Sequence, residues 1–499
     1  MSSTERTLRT VLLVQVVIAA IFAVYIVGNV GDGETQTVAV TTDPAAPGTA
    51  PTTGGTTGTP TTGTPATTGG AGTPSTTPGT TTTGTGGTSS PQTTPTATPN
   101  GDGATAAPDD TPTSGATDSP AAPTAPREGT RIGVTDSTVR VGTLVSQTGA
   151  INFRSSAQAT KAYFDMINEA GGVHGRQIEL LLRDDGLDPN RGQQAIEEML
   201  NAGIFSFVAF NAPLTEGSVP PILEKNDINM IGSFAMRSSE LSYRFGAGYQ
   251  NFGKVGGTRL CENGVTTPGL VYISNQDEEL DANIFETWRR GVEQCGLEIS
   301  DDNLHPVDVT KADFTDVVTS LQFAGVDGVG TVLDATAMVR FQQAMNRQGY
   351  APLQVALPFG SDSAVLNDPN VGDSFAGMEV LSDVHFPGTY GMVDYEAEVR
   401  RRFGDDAEIN WAGAQGWVSA MIFVEALERT GPDLTREAFR IALDAIENFD
   451  TNIMFPHTFG EDILMHSPNT CVKVGLVQPD KTVREVQGFT CTSSDLDRY

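Results

Sequence analysis

The sequence predicts an α/β fold with two lobes, preceded by a membrane-spanning helix and a disordered linker. After about residue 134, short apolar runs alternate with amphipathic stretches, as in parallel sheets covered by helices. There are about ten such runs, more than one sheet usually holds, which favours two lobes. Residues 31–130 are nearly all Thr, Pro, Gly, Ala and Ser, so this segment has little to bury.

The N-terminal helix is predicted from an apolar run at residues 10–30, whose only strongly polar side chains are Gln15 and Asn29. A helix of about 21 residues is roughly 31 Å long and can cross a membrane. Arg6 and Arg9 precede it, so residues 1–9 should be cytoplasmic. We expect a single-pass anchor in the cell membrane with the bulk of the chain extracytoplasmic; a cleaved signal peptide is the alternative.

The first lobe is predicted from the run between residues 139 and 232. A strand at 139–145 leads into a polar turn at 146–149, then a helix that ends at Gly171-Gly172, and a second strand at 177–182. Asp188-Pro189 is a typical start for the next helix. Further strands are predicted at 205–210 and 228–232.

The second lobe is predicted from a later series of the same kind. Its strands are expected at 270–274, 328–334, 355–359 and 378–384, and its helices at 282–294, 314–323 and 337–348. Three more helices are expected at 393–403, 415–429 and 435–445, before a hairpin of strands 472–477 and 483–489.

The four cysteines fit an oxidising compartment. Four cysteines allow three connectivities. Pairing of neighbours, Cys261 with Cys295 and Cys471 with Cys491, is favoured, and four buried thiols are the alternative. Neither pair has the spacing of a zinc or redox motif, so we expect no metal site.

Charge and motifs exclude two functional classes. The formal net charge is −31, which argues against nucleic acid as a partner because phosphate binding needs clustered Lys and Arg. The sequence contains no metalloprotease, hydrolase or P-loop motif, and its five histidines are scattered. Asp184 and Asp185 adjoin at a strand end and should point apart. We therefore predict no enzymatic activity and no cofactor.

One stretch resembles a known family. The sequence Asn-Glu-Ala-Gly-Gly-Val-His-Gly-Arg at 168–176, followed by Arg183-Asp184-Asp185 and Asp188-Pro189, is similar to the leucine/isoleucine/valine-binding group of type I periplasmic solute-binding proteins. The resemblance extends from about Thr138 to Thr490. It implies a two-lobed type I periplasmic-binding-protein fold, the Venus flytrap, with crossovers near 248–253, 383–388 and 448–456.

The resemblance also implies a division of the chain. It assigns lobe 1 to residues 131–250 and 384–450, and lobe 2 to residues 251–383 and 451–499, where the C-terminal hairpin returns.

In the first lobe, the resemblance places ligand contacts in three loops that follow strands. The hydroxyls of Thr148 and Thr215 could instead cap helices, and backbone amides after Asn211 could hold a carboxylate. The predicted contacts are Ser146, Gln147, Thr148, Gly149, Ala212, Pro213, Thr215, Ser233, Phe234 and Ala235.

In the second lobe, the chain departs from the pattern of amino-acid binders. Glu279 lies in a loop where those proteins have an aromatic residue, and Phe359 stands where they have a carboxylate for the ligand ammonium. Asp334 or Asp362 could pair with an ammonium instead, or the ligand could carry no ammonium, in which case each acid is a helix cap or a solvated side chain. Branched-chain amino-acid specificity is therefore doubtful.

The resemblance implies a membrane-tethered extracytoplasmic solute-binding protein. It would deliver a small polar solute, such as an amino acid, an amide or a related compound, to the permease of an ABC importer. The alternative is a ligand-sensing surface receptor of the same fold without transport.

Overall fold

The computed structural model describes residues 129–149, 151–232, 239–274, 278–460 and 469–492. The predicted membrane helix and all but the last two residues of the predicted linker lie outside these ranges. In the ranges described, none of the helices is both long enough and apolar enough to cross a membrane.

The first sheet has five parallel strands in the order β2-β1-β3-β4-β5. Its inner strands bury nearly every side chain, as expected for strands covered on both faces. The elements of this lobe are β1 Thr138–Val145, α1 Arg154–Glu169, β2 Gln177–Asp184, α2 Pro189–Asn201, β3 Ser206–Val208, α3 Pro213–Glu216, α4 Pro220–Asn226, β4 Met230–Gly232 and β5 Ser242–Arg244.

The second sheet has the order β12-β11-β10-β9-β8-β6-β7, and its five strands from β10 to β7 are parallel. The C-terminal hairpin adds β11 and β12 in antiparallel orientation. Its elements up to β10 are α5 Tyr249–Glu262, β6 Pro268–Ile273, α6 Glu278–Glu293, β7 Leu304–Val307, α7 Thr315–Phe323, β8 Gly328–Val332, α8 Ala335–Gln348, β9 Leu353–Ala356, α9 Ser363–Leu366 and β10 Glu379–Ser382.

After β10 the chain returns to the first sheet before it forms the hairpin. Three helices follow, α10 Val393–Phe403, α11 Trp411–Thr430 and α12 Arg436–Asp444, and then β11 Cys471–Val477 and β12 Val483–Cys491. Helix α11 is almost entirely buried and shares a core with β1 and α1. The rings of Trp417 on α11 and Tyr163 on α1 are 4.9 Å apart.

The connections between the two sheets run side by side. Ala247 forms a parallel bridge with Asn469, and Val384 forms an antiparallel bridge with Met454. The backbone N–H of His385 also donates to the carbonyl of Ile453. Three chain crossings are thus held together by a few backbone contacts, which is the usual construction of a hinge between domains.

Helix α5 was not predicted. Residues 248–253 were expected to form a crossover, but the helix begins at Tyr249. Its glycines serve close packing, because a Cβ at Gly256 would collide with the ring of Trp288 on α6, and one at Gly257 would collide with the backbone of Gly291.

Both predicted disulfides are confirmed. Cys261 pairs with Cys295 and joins the C-terminal end of α5 to the residues that follow α6. Cys471 pairs with Cys491 across the hairpin. Each crosslink therefore closes a local loop inside the second lobe.

Candidate functional site

A cavity lies between the two lobes, at the carboxyl ends of strands from both sheets. Its volume is about 50 Å³, room for only a few water molecules. The lining residues are Ile151, Phe153, Pro213 and Leu214 from the first lobe, and Tyr249, Ile273, Val309, Val332, Leu333, Asp334, Leu357 and Phe359 from the second.

Aromatic side chains close one side of this cavity. Phe359 follows β9 in the second lobe, in a 3-10 turn at Pro358–Ser361. Its ring centroid lies 6.0 Å from that of Phe153 and 5.4 Å from that of Trp411, and both of these belong to the first lobe. The two lobes are therefore in direct contact next to the cavity. The strand predicted at 355–359 ends earlier, at Ala356, since Pro358 has no N–H for a sheet.

Two of the predicted first-lobe contacts are turned toward a buried carboxylate. The hydroxyls of Ser146 and Thr215 donate to Asp185 Oδ1 and Oδ2 at 2.7 and 2.8 Å. Both side chains are fully buried, and neither lines the cavity. Asp185 thus ties the turn after β1 to the short helix α3, and these hydroxyls stabilise the loops rather than cap helices.

The rest of the turn after β1 is organised by Asp184. This carboxylate accepts from the backbone of Gln147 at 2.8 Å and from the hydroxyl of Thr148 at 2.6 Å. Burial raises the pKa of Asp184, but the hydrogen bonds from Thr148, Gln147 and Gly186 outweigh it and hold the pKa below its usual range. Gly149 has a φ of 116°, a conformation suited to glycine. Asp184 and Asp185 have different side-chain partners, Thr148 for the first and Ser146 and Thr215 for the second.

The remaining predicted first-lobe contacts are placed differently. Pro213 lines the cavity, whereas Ala212 is buried in the core of the lobe as the residue before α3. Ser233, Phe234 and Ala235 lie outside the described residues.

Asp334 is the charged residue of the lining. It caps α8, and its Oδ1 accepts from the backbone N–H groups of Thr336 and Ala337 at 2.7 and 3.2 Å. Its Oδ2 is buried and has no hydrogen-bond partner among the described residues. Burial raises the pKa of this carboxyl above its usual range, although the capping bonds and Arg340 act in the opposite direction.

The other second-lobe predictions differ in position. Phe359 lines the cavity, and Glu279 lies in the first turn of α6. Asp362 is buried beside Phe359 but is absent from the lining, and its Oδ1 has no hydrogen-bond partner among the described residues. Burial, followed by the nearby charge of Glu408, raises the pKa of Asp362 well above its usual range.

A fully buried carboxylate, Asp383, holds the crossovers behind the cavity. It accepts from the backbone of Ala247 at 2.6 Å, from Trp411 Nε1 at 2.6 Å and from Gln415 Nε2 at 2.8 Å. These partners lie on the first crossover and on α11. Burial raises the pKa of Asp383, and the three hydrogen bonds oppose that shift.

Sequence reasoning missed Asp383 and most of the apolar lining. The lining could have been found from one signal, because Ile273, Leu333 and Leu357 each lie within one residue of the end of a strand. Apolar residues at the ends of strands are, however, equally typical of a hydrophobic core. Among the described residues, no group of three or more His, Cys, Asp or Glu side chains could hold a metal ion.

Comparison with known proteins identifies the family of the chain. Residues 138–482 match the model described as periplasmic binding protein. Solved structures with the same fold confirm the two-lobed type I architecture, since each is covered almost completely by this chain.

One of these is a fatty acid ABC transporter substrate-binding protein from Thermomonospora curvata, with 20% identity, a TM-score of 0.65, and coverage of 74% of this chain and 96% of that one. A second is a branched chain amino acid ABC transporter from Thermus thermophilus with bound valine (15%, TM-score 0.63, 72% and 98%). A third is a solute binding protein of an ABC transporter from Rhodopseudomonas palustris BisB5 in complex with 3,4-dihydroxy benzoic acid (16%, TM-score 0.61, 72% and 99%). At these identities the likeness establishes the fold.

Proposed function

The chain belongs to the periplasmic binding protein family, whose members are non-enzymatic solute-binding proteins, and from this premise we propose that it captures a small solute between its lobes and delivers it to an ABC importer. The cavity between the lobes carries the proposal. It combines side chains from both sheets at their carboxyl ends, where α/β folds bind ligands. Closure of two lobes about a hinge would sequester the solute.

The lining favours a ligand with a larger apolar part than the small polar solute that was predicted from the sequence. Ten of the twelve lining residues are aliphatic side chains, prolines or phenylalanines, and the other two are Tyr249 and Asp334. Burial of apolar ligand surface there would supply about 25 cal/mol per Å². The cavity can bind an amino acid, an amide or another small solute only if that solute has an apolar part that packs against the lining.

Binding is tested by titrating the full chain with a panel of amino acids, amides, aromatic acids, amines, alcohols and fatty acids, with thermal denaturation as the readout. A ligand at 100 times its Kd should add about 2.7 kcal/mol of stability. Val309→Trp should abolish the shift, because Val309 lines the cavity and a larger ring would fill it. Ile441→Trp is the matched control, since Ile441 is exposed on α12. No shift with any compound would contradict the proposal.

Transport is tested separately. Cells of the source organism that lack this chain should lose uptake of the identified ligand, and the unaltered chain should restore it. Normal uptake together with loss of a transcriptional response to the ligand would instead favour the sensing receptor.

We also propose that residues 10–30 anchor the chain to the outer face of the cell membrane, with residues 31–130 as a flexible tether. About 100 flexible residues have an r.m.s. reach of roughly 55 Å, enough to dock repeatedly on a permease. The full chain should fractionate with membranes and be released only by detergent. Recovery of a soluble chain that begins near residue 30 would show a cleaved signal peptide.

A further inference from the structure

Asp334 has one carboxylate oxygen with no hydrogen-bond partner among the described residues. Asp334 is only 4% exposed. Its Oδ1 is used by the first turn of α8, while Oδ2 accepts no hydrogen bond from the described residues. A buried polar atom without a partner costs about 1–3 kcal/mol, and more when it is charged. Asp334 lines the cavity, so a donor on a ligand that reaches Oδ2 would remove this cost.

Among the described residues, no cationic side chain pairs directly with Asp334, although the charge of Arg340 favours its ionised form. Arg340 lies farther along α8, and its guanidinium donates to the carbonyl of Lys311 rather than to Asp334. Of the lining residues that the structure describes, none is a Lys or an Arg. A ligand carboxylate would therefore meet the Asp334 carboxyl, the Tyr249 side chain and apolar groups, with no cationic side chain among the described lining residues.

Phe359 adds a steric reason. Its ring packs against Phe153 and Trp411, so part of the cavity wall is aromatic carbon from Phe359 and Phe153. A ligand that contacts both residues therefore needs apolar surface against Phe359 and a hydrogen-bond donor for Asp334.

We infer that the solute is an apolar compound carrying a single hydrogen-bond donor, best an ammonium group, that binds Asp334, and that it has no carboxylate. This inference rests on the proposed function, because it names the ligand class of the same cavity. It separates the chain from neighbours with bound valine or 3,4-dihydroxy benzoic acid, both of which carry an acid group.

The inference is tested with four ligands that share one seven-carbon skeleton: benzylamine, benzyl alcohol, toluene and benzoate. Calorimetric titration of the full chain at pH 7.5 should give the affinity order benzylamine, benzyl alcohol, then toluene and benzoate. One charge-assisted hydrogen bond contributes about 1.5–3 kcal/mol, so benzylamine should bind at least about tenfold more tightly than benzoate. Isobutylamine should likewise bind more tightly than valine, which has the same side chain and ammonium but adds a carboxylate.

Asp334→Asn is the matching variant, since asparagine is as good an N-cap as aspartate. It should weaken benzylamine binding at least about tenfold and leave benzyl alcohol within about threefold. Asp188→Asn is the control, because Asp188 caps α2 with the same pair of backbone bonds outside the cavity. This control should leave all four affinities unchanged.

The outcomes separate the two proposals. Tighter binding of benzoate than of benzylamine, or benzylamine binding that is unchanged in Asp334→Asn, would overturn the ligand class but leave solute binding intact. If Asp334→Asn does not fold, the order of the four ligands on the unaltered chain decides. Failure of these four and of the whole panel would instead count against the proposed function.

Discussion

Asp383 should be the side chain on which the connection between the lobes depends most. It is fully buried, and its two oxygens accept three hydrogen bonds from Ala247, Trp411 and Gln415. Asp383→Ala would leave three buried donors without an acceptor. Each orphaned donor costs about 1–3 kcal/mol, and neighbouring losses are not fully additive. We therefore expect the free energy of unfolding to fall by about 3–5 kcal/mol.

Asp383→Asn distinguishes the hydrogen bonds from the volume of the side chain. Asp383 Oδ2 accepts from Ala247 and Gln415, and Oδ1 accepts from Trp411. An asparagine can keep its oxygen toward the first two partners, but its NH₂ group would then face the N–H of Trp411. We expect a loss of about 2 kcal/mol, close to the cost of one orphaned donor and one unpaired amide.

The assay is urea denaturation of the full chain, followed by circular dichroism and by the fluorescence of its three tryptophans, one of which is Trp411. Asp313→Asn is the control, because Asp313 is an exposed residue that also accepts from a neighbouring backbone N–H; it should stay within about 0.5 kcal/mol. A cost below about 1 kcal/mol for Asp383→Ala would refute the assignment of Asp383 as the residue that holds the crossovers.

Three further predictions concern the second lobe. Asp362 has a raised pKa in the folded chain, so its ionisation weakens folding as the pH rises above about 4. Asp362→Asn should therefore be at least about 1 kcal/mol more stable than the native chain at pH 7 and equal to it near pH 3.5. A stability difference in thermal melts that does not change with pH would contradict this. Replacing Cys261 and Cys295 by Ser should cost about 4 kcal/mol for a loop of 34 residues, measured by urea denaturation, with unchanged stability as the contrary result. Phe359→Ala should cost about 2–4 kcal/mol through lost contacts with Phe153 and Trp411, whereas Phe323→Ala, at an exposed position, should cost almost nothing.

The sequence predicted the elements whose signals are local. Buried parallel strands are short apolar runs, and Asp188-Pro189 begins α2 where the cap chemistry placed it. Helix α5 escaped prediction because Gly253, Gly256 and Gly257 read as breaks in a helix. Their function is set by Trp288 and Gly291 on another helix, and that contact has no signal in the local sequence.

The site was harder to predict for the same reason. Ser146 and Thr215 follow strands that end at the cleft, yet Asp185 draws both hydroxyls away from it. The three residues come from two loops and the short helix α3, so only the folded chain shows that they meet. Phe359 stands where the resembling family has a carboxylate, Asp334 ends a strand predicted at 328–334, and both line the cavity. Neither signal indicates which polar groups remain available within the cleft.

The contacts of Trp411, Phe153 and Phe359 determine which side chain must move when a ligand enters the cleft. Trp411 is bound to the crossover through Asp383, and Phe153 is buried in the core of the first lobe. Phe359 belongs to the second lobe and meets both rings. A solute larger than the present cavity must therefore separate Phe359 from the other two rings, at a cost of about 0.5–1.5 kcal/mol per aromatic pair. The ligand must recover that energy from its own apolar surface, which again favours an apolar body with one polar end.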